Sequence, residues 1–548
     1  MRCHMVYCLQ QTFGGTQMKT IYWNAQVYTG TLPLEEAFIV EDGRFIFAGS
    51  QKDALSQQAD ETIDLNGAFV CAGLIDSHMH VLSYGNALVC APLHEHTHSL
   101  ADLIDCMKNT VPGRGGWILG RGWNQDFFSD ADRMPNRWDL DKVSTEHPVC
   151  ATRACGHALA VNSKALELLG ITADTPQVDG GEIVMENGQP NGVFFDNAMD
   201  LVSANIPGPS KEEVKRMILS ASQALNSYGI TSCHSDDFCV FHDVPWQTVA
   251  KAFRELEESG ELTVRVYEQS NFTTLEALRG FVESGCKTGT GTDLFRIGPL
   301  KMLGDGALGA RTAYLTHPYA DDPATRGLSV FTPEAFDQMI GYAHENGMQV
   351  AVHCIGDACL DLVLSSIEKA QDKNPRKDHR HGIVHCQITR PDQLDSIVRN
   401  QLHVYAQSIF LDYDIHIVRQ RVGEELASTS YSWKTLMNRG VTVSNGSDCP
   451  VEMPRALCGI QCAVTRSDLN GCEPYLPHEA FTVQEALDSF TKAGAYASFE
   501  ETSKGQIQPG MLADFVVLGK NPFEMDANNI KNIPVVSTWL GGKKVFEA

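Results

Sequence analysis

The feature that most constrains the fold is a unit that recurs through the middle of the chain: a helix that ends at glycine, then a short apolar strand followed by polar residues. The clearest copy is FTPEAFDQMIGYAHENGMQVAVHCIG, in which Thr332 opens a helix, Gly347 ends it, and His353 follows the apolar run 348–352. The same order recurs in SQALNSYGITSCHSD, DHRHGIVHCQ and WKTLMNRGVTVSNGSD. This alternation predicts an α/β fold, a TIM-type (β/α)8 barrel with its active site at the carboxyl ends of the strands. A doubly wound sheet is the alternative, although no Gly-rich phosphate loop favours it.

The two ends of the chain differ from the middle. Near both termini, Gly and Asp separate short apolar runs, which is typical of small antiparallel strands. We therefore predict that residues 18–70 and 496–548 form one small β-sandwich and that residues 71–495 form the catalytic barrel. Residues 85–210 are interpreted as an inserted segment that covers the barrel mouth. Residues 1–17 lack the apolar core of a secretory signal and are interpreted as a disordered extension.

The composition argues against several classes of protein. The net charge of −25 disfavours nucleic acid or an anionic membrane as a partner, because both attract clustered Lys and Arg. No apolar run reaches the ~18 residues of a membrane-spanning helix. The seventeen cysteines lie mostly in apolar stretches without a C-x-x-C pair, which indicates reduced thiols in a cytoplasmic protein.

A candidate metal site begins in GLIDSHMH, at residues 73–80. Residues two apart on a strand project to the same side, so His78 and His80 could bind one ion, since imidazole is a common ligand of divalent metals. Two surface histidines near a turn are the alternative for this pair alone. Further polar residues at predicted strand ends favour the metal site, and in a barrel all of these side chains converge at one end: Lys301, His353, His385 and Asp448.

Lys301 is the unusual member of this set. As an ammonium it would repel a metal, whereas as a neutral amine it could react with carbon dioxide to give a carbamate that bridges two ions. A lysine that holds a carboxylate or a substrate anion is the alternative.

Other histidines fit a ligand role less well. The histidines of LHEHTHSL, at positions 94, 96 and 98, are expected on the surface, and those at 379 and 381 precede their strand. His234 lies at a second plausible strand end, where it either lines the pocket or is a satisfied polar residue. Cys449, beside Asp448, is expected to be a small buried filler.

The chain resembles the amidohydrolase superfamily, and within it the amidohydrolase family 3 branch of YtcJ-like and N-substituted formamide deformylase-like enzymes. The matching stretches run in the family's order: LIDSHMH, GRGWNQDFF, HPVCATRACGHALAVNSKAL, KMLGDGALGARTAYL, VAVHCIGDA, RHGIVHCQ, GSDCPVEMP and GQIQPGMLADFVVLGKNP. The resemblance implies a metal-binding (β/α)8 barrel beside a small β-sandwich built from both termini. It places the metal ligands on His78, His80, Lys301, His353, His385 and Asp448.

The resemblance also implies a reaction. We expect a cytoplasmic hydrolase that cleaves the C–N bond of a small N-acyl or N-formyl amine with a metal-activated hydroxide and Asp448 as general base. Zinc suits the nitrogen- and oxygen-rich ligands, one or two ions per chain, although manganese, iron and cobalt are also compatible. A cyclic amidohydrolase or deaminase, and a catalytically silent metal-bound scaffold, remain alternatives. A homodimer is a family-level expectation.

Residues outside the ligand set match family stretches and are candidates for contact with the amide substrate. The alternative for Trp123 is core packing, because large aromatic side chains are buried more often than they bind ligands. The candidates are Trp123, Asn124, His157 and Arg311.

Overall fold

The computed structural model describes residues 18–153, 158–178 and 181–548, so the predicted extension at residues 1–17 lies outside the described residues. The strands before the barrel are β1 (Lys19–Trp23), β2 (Gln26–Val27), β3 (Ala37–Glu41), β4 (Arg44–Gly49), β5 (Glu61–Asp64) and β6 (Phe69–Ala72). The first barrel strand is β7 (Leu74–Met79). The strands of the inserted segment are β8 (Ala91–Pro92), β9 (Ile118–Trp123), β10 (Val149–Arg153), β11 (Ala158–Val161), β12 (Gly181–Glu186) and β13 (Gln189–Asp196).

The rest of the barrel and the C-terminal strands follow. The barrel continues with β14 (Ile230–Ser235), β15 (Arg265–Asn271), β16 (Phe295–Leu303), β17 (Val350–Cys354), β18 (Gly382–His385), β19 (His403–Ala406) and β20 (Val443–Asn445). The last strands are β21 (Phe515–Leu518), β22 (Val535–Leu540) and β23 (Lys543–Glu547).

Helices connect these strands. In the first half of the chain they are α1 (Gln51–Leu55), α2 (Val81–Val89), α3 (Leu100–Lys108), α4 (Arg137–Leu140), α5 (Ser163–Leu169), α6 (Asp200–Ser203), α7 (Lys211–Ser227), α8 (Trp246–Glu258) and α9 (Leu275–Glu283). In the second half they are α10 (Pro333–Glu345), α11 (Asp357–Lys373), α12 (Pro391–Arg399), α13 (Leu411–Asp414), α14 (Val418–Ala427), α15 (Trp433–Asn438), α16 (Ala456–Thr465), α17 (Val483–Ser489) and α18 (Lys492–Ala497).

Eight parallel strands form a barrel, in the order β7, β14, β15, β16, β17, β18, β19, β20. The seam between the first and last strands is bridged by hydrogen bonds: the Ser77 hydroxyl donates to the Asn445 carbonyl at 2.7 Å, and the Asp448 N–H donates to the His78 carbonyl at 2.8 Å. The predicted TIM-type α/β fold is confirmed.

The predicted unit around residues 332–354 shows how the sequence produces this repeat. The Thr332 hydroxyl caps α10 by accepting from the Ala335 N–H, and Pro333 occupies the first helical turn. Gly347, with φ of +79 in the left-handed region, turns the chain into β17. The buried apolar residues of β17 then deliver His353 to the end of the strand.

Two small sheets lie beside the barrel, one in the order β4, β3, β1, β5 and the other in the order β2, β6, β21, β22, β23. The second sheet combines strands from both ends of the chain. Side chains of both sheets share an apolar cluster, in which the Tyr22 ring stacks on Phe38 at 4.7 Å and meets the edge of Phe515 at 5.2 Å.

The inserted segment forms a sheet of its own, in the order β12, β13, β11, β10, β9, β8.

Across the described ranges, every cysteine is free, and most are buried. No helix in the described part of the chain combines the length and apolar character needed to cross a bilayer.

Candidate metal centre

Three of the predicted ligands lie in direct contact at the carboxyl end of the barrel. The Nε2 atoms of His78 and His80 are 3.3 and 3.1 Å from Oδ1 of Asp448. His78 and His80 come from β7 and its end, and Asp448 from the loop after β20, so the seam of the barrel brings them together. His78 is buried, and the His80 side chain is 22% exposed, which leaves an approach from solvent.

A glutamine fixes which nitrogen of His78 carries the proton. Nε2 of Gln269 donates to the Ser77 carbonyl at 3.3 Å, so its Oε1 faces Nδ1 of His78 at 2.7 Å and accepts the proton of that nitrogen. In neutral His78, Nε2 therefore carries a lone pair that is directed at the Asp448 carboxylate. Burial and the nearby charge of Lys301 lower the pKa of His78 to about 4, which favours this neutral form.

His80 is oriented in the same manner by the main chain. Its Nδ1 donates to the Asp236 carbonyl at 3.1 Å, and Nε2 faces Asp448. Burial lowers the pKa of His80, but the hydrogen bond and charge of Asp448 outweigh it and raise the pKa to about 9. Burial likewise raises the pKa of Asp448, yet its close contacts with the His78 and His80 rings hold it well below its usual range, so the carboxylate is ionised.

His385 and His353 lie beside the cluster of His78, His80 and Asp448. Gln407 donates from Nε2 to the Tyr405 carbonyl and accepts from Nδ1 of His385 at 2.7 Å. This leaves Nε2 of His385 buried without a hydrogen-bond partner within the described ranges. The His385 ring is 5.6 Å from that of His78 and 4.4 Å from that of His353.

The main chain is bent at two of these positions. His385 has φ of +72 and Asp448 has φ of +58, in the left-handed region that non-glycine residues seldom adopt. Such conformations cluster at functional sites, where the surrounding structure holds them.

Lys301 is buried beside the histidines but is paired with an acid. Its Nζ is 3.4 Å from Oδ2 of Asp236, and its side chain has no exposed surface. Asp236 also accepts from Nδ2 of Asn271 at 3.1 Å. This ion pair corresponds to the alternative in which the lysine holds a carboxylate.

These residues fit a divalent cation. Acceptor atoms of His78, His80 and Asp448 lie within 4.8 Å of one another. Lone pairs that face a carboxylate repel it unless a proton or a cation lies between them. The unpartnered Nε2 of His385 adds a further nitrogen, and a carbonyl behind the ring is the usual partner of a ligating histidine.

The predicted substrate contacts have other partners in this structure. Trp123 is buried, and its N–H donates to the Ala151 carbonyl at 2.9 Å. The Asn124 side chain accepts from Arg153, and Arg311 pairs with Asp321 at 2.8 Å. His157 lies outside the described residues. A substrate role for these four residues stays a prediction.

The histidines set aside on sequence grounds lie elsewhere. The side chains at 94, 96 and 98 are 65%, 38% and 76% exposed, which confirms their surface position. His379 and His381 lie before β18, at the opposite end of the barrel from His385. His234 is buried against the rings of Tyr267 and Tyr405. Cys449 is buried, as expected of a filler.

Sequence reasoning did not identify the residues that orient the ligands. These are Gln269, Gln407, Asp236 and Asp305, the last with Oδ1 3.4 Å from Nε2 of His353, whose hydrogen bond is to the Gly306 carbonyl at 3.1 Å. All four lie in or just after the carboxyl-terminal part of barrel strands. The signal that could have found them is the one that found the ligands, a polar residue where an apolar strand ends.

Known proteins resemble this chain over most of its length. The model of the amidohydrolase family matches residues 61–546. YtcJ of Bacillus subtilis, a protein named as an amidohydrolase, is 34% identical over 97% of this chain and 100% of its own length. N-substituted formamide deformylase of Arthrobacter pascens is 24% identical over 93% of this chain and 95% of its own length.

A solved structure is similar over nearly the same extent. The metal-dependent hydrolase from Pyrococcus furiosus superposes with a TM-score of 0.77 at 29% identity, covering 92% of this chain and 100% of that one. Because the family model and YtcJ both match most of the chain, this protein belongs to the amidohydrolase family and is a hydrolase that acts on carbon–nitrogen bonds.

Proposed function

We propose that the protein hydrolyses the amide bond of a small N-acyl or N-formyl amine in a metal-dependent reaction. The observation that carries the proposal is the group of His78, His80 and Asp448, whose possible ligand atoms lie within 4.8 Å of one another at the carboxyl end of the barrel. The substrate class is supported by the similarity to N-substituted formamide deformylase along most of both chains.

The residues that would hold the ion are the six predicted ligands. A bound divalent ion lowers the pKa of a water toward ~7 and polarises a substrate carbonyl. The histidine-rich donor set suits zinc. The six residues are His78, His80, Lys301, His353, His385 and Asp448.

Asp448 is proposed as the general base. Its carboxylate is ionised, because its close contacts with the His78 and His80 rings lower its pKa, and it lies at the exposed side of the centre near His80. An ionised carboxylate at this position accepts the proton of the attacking water and returns it to the leaving nitrogen.

We propose further that Lys301 carries a carbamate in the loaded enzyme. Reaction of its neutral Nζ with carbon dioxide releases a proton and gives a carboxylate that can bridge two ions. Two observations support this proposal: the Lys301 side chain is completely buried beside His78, and its contact with the Asp236 carboxylate is long, at 3.4 Å.

We also propose that the two small sheets form the β-sandwich implied by the resemblance, which their shared apolar cluster supports.

The proposal is tested with Asp448→Asn in protein purified without chelator. We expect the variant to retain at least part of its metal, measured by elemental mass spectrometry, and to lose turnover by about 10³-fold or more, because a general base and its hydrogen bonds are removed. Turnover is measured on a panel of N-alkyl formamides, N-acyl amines and cyclic amides. About two ions per wild-type chain supports the Lys301 carbamate, and about one supports the Lys301–Asp236 pair.

Asp526→Asn is the matched control. Asp526 is exposed in the C-terminal segment and caps a short helical turn, a role that asparagine performs equally well. It should match wild type in metal content and rate. Normal turnover by Asp448→Asn would remove Asp448 from its role, and a metal-free wild-type protein, even after metal is added, would overturn metal dependence.

A further inference from the structure

A cavity of about 200 Å³ lies outside the candidate metal centre, between the inserted segment and the barrel. Its walls come from the end of α2, the loop that follows α3, and α7. None of the six predicted metal ligands lines it. The cavity therefore needs an explanation separate from hydrolysis.

Three polar groups that line the cavity have unsatisfied buried atoms. Nε of Arg114, Nε1 of Trp117 and Oδ1 of Asn86 are buried and have no hydrogen-bond partner within the described part of the chain. Trp117 is only 1% exposed. Buried polar atoms are nearly always paired in folded proteins, so three unpaired atoms in the walls of one cavity favour a guest that forms hydrogen bonds there.

The charge on the walls indicates the sign of that ligand. The Arg114 guanidinium lies over the Phe241 ring at 4.9 Å and forms no ion pair with any described residue. The acid on the same wall, Glu213, already accepts from the N–H and hydroxyl of Ser210 and lies 3.9 Å from Arg216. Burial lowers the pKa of Arg114, as expected where a cation lacks a close counter-charge.

The remaining walls indicate the body of the ligand. They are largely apolar, and the volume is below the ~300–1,000 Å³ of pockets for drug-sized ligands, so the ligand has few carbon atoms. The apolar lining residues are Val89, Val111, Pro112, Leu119 and Met217.

We propose that this cavity binds a small organic carboxylate with a short apolar body. The planar guanidinium of Arg114 and the indole N–H of Trp117 donate to the carboxylate oxygens, and the side chain of the ligand packs on the apolar walls. Rotation of the Asn86 amide offers a third hydrogen bond. Because α2 begins directly after His80, an occupied cavity contacts the helix that continues from the first metal-ligand strand.

The test is a ligand-observed NMR titration of the metal-loaded full chain with sodium butyrate. We expect saturable binding of butyrate and binding at least about tenfold weaker for butyramide, which has the same size without the charge. Arg114→Gln should weaken the binding of butyrate at least about tenfold, and Trp117→Phe, which keeps an aromatic ring but removes the N–H, should weaken it several-fold. Circular dichroism establishes that each variant is folded.

Arg279→Gln is the matched control. Arg279 also lies over an aromatic ring, Tyr342 at 5.4 Å, but it does not line the cavity, so butyrate affinity should not change. Equal butyrate affinity in wild type and in folded Arg114→Gln would place the ligand at the metal centre and overturn the proposal. Absence of saturable binding, or binding of inorganic phosphate in preference to butyrate, would overturn it as well.

Discussion

Each candidate ligand histidine on β7 and β18 has an oxygen behind its ring that decides which nitrogen faces the centre. For His385 that oxygen is Oε1 of Gln407 at 2.7 Å, and Gln407 is itself held by the Tyr405 carbonyl. A ligand that is held in the correct tautomer and orientation binds a metal with less loss of freedom.

Replacement of Gln407 by leucine should therefore weaken metal binding without removing a ligand. We expect the affinity for zinc to fall about 10- to 100-fold, because the His385 ring loses its partner and Nδ1 is left unpaired. Competition against a chromophoric chelator measures the affinity. Gln58→Leu, at an exposed position in the N-terminal segment, is the control and should keep wild-type affinity. Equal affinities for both variants would show that Gln407 does not orient His385.

At the scale of single residues, the sequence places the candidate ligands at strand ends, but their hydrogen-bond partners could not be predicted from it. Lys301, His385 and Asp448 each follow an apolar run, a pattern visible in the sequence itself. The contact of His78 with Gln269 joins residues 191 positions apart, and it depends on the neighbouring strands β7, β14 and β15. Side-chain direction across strands is a tertiary property that local patterns do not contain.

At the scale of elements, the repeated helix–glycine–strand unit was sufficient to predict the barrel, because each copy has a cap, a stop and a buried strand. The strand order of the inserted segment was harder to predict. Its sheet places β13 between β12 and β11, an order that strand patterns alone do not give. Trp123 shows the same difficulty, since its burial in the core of this sheet depends on neighbours that the motif GRGWNQDFF does not reveal.

The strands and helices that meet at the amino-terminal end of the barrel enclose three histidines. Nδ1 of His344 is 2.8 Å from Nε2 of His381, and Nδ1 of His379 accepts from the His381 N–H at 3.0 Å. Burial lowers the pKa of all three, that of His379 to about 4, so the folded protein keeps these rings neutral.

These three histidines should therefore lower the free energy of unfolding as the pH falls from about 6.5 toward 4. In this window the unfolded chain binds protons that the folded chain excludes, and each such group changes the free energy of unfolding by up to about 1.4 kcal/mol per pH unit. Urea unfolding at a series of pH values measures the slope. His379→Gln should reduce it, whereas His478→Gln, at a side chain that is 67% exposed, should not. An unchanged slope in His379→Gln would contradict the assignment.

At the scale of the whole molecule, a buried ion pair joins the barrel to the sheet that contains both ends of the chain. Arg265, at the start of β15, donates from Nε and Nη2 to the two oxygens of Asp514 at 2.6 and 2.9 Å, and both side chains are less than 10% exposed. Asp514 also accepts from the Gly541 N–H, which connects the pair to the turn between β22 and β23.

Loss of one partner should cost more than loss of both. Asp514→Ala leaves the Arg265 guanidinium buried without its counter-charge, so we expect a decrease of about 3–5 kcal/mol in the free energy of unfolding. In the double variant Arg265→Leu, Asp514→Ala no buried charge remains, and part of that loss should be recovered. Urea unfolding followed by tryptophan fluorescence compares Asp514→Ala, Arg265→Leu and the double variant with wild type. If the double variant were as unstable as the sum of its single variants, the two residues would act independently, and the pair would not be what holds the small sheet against the barrel.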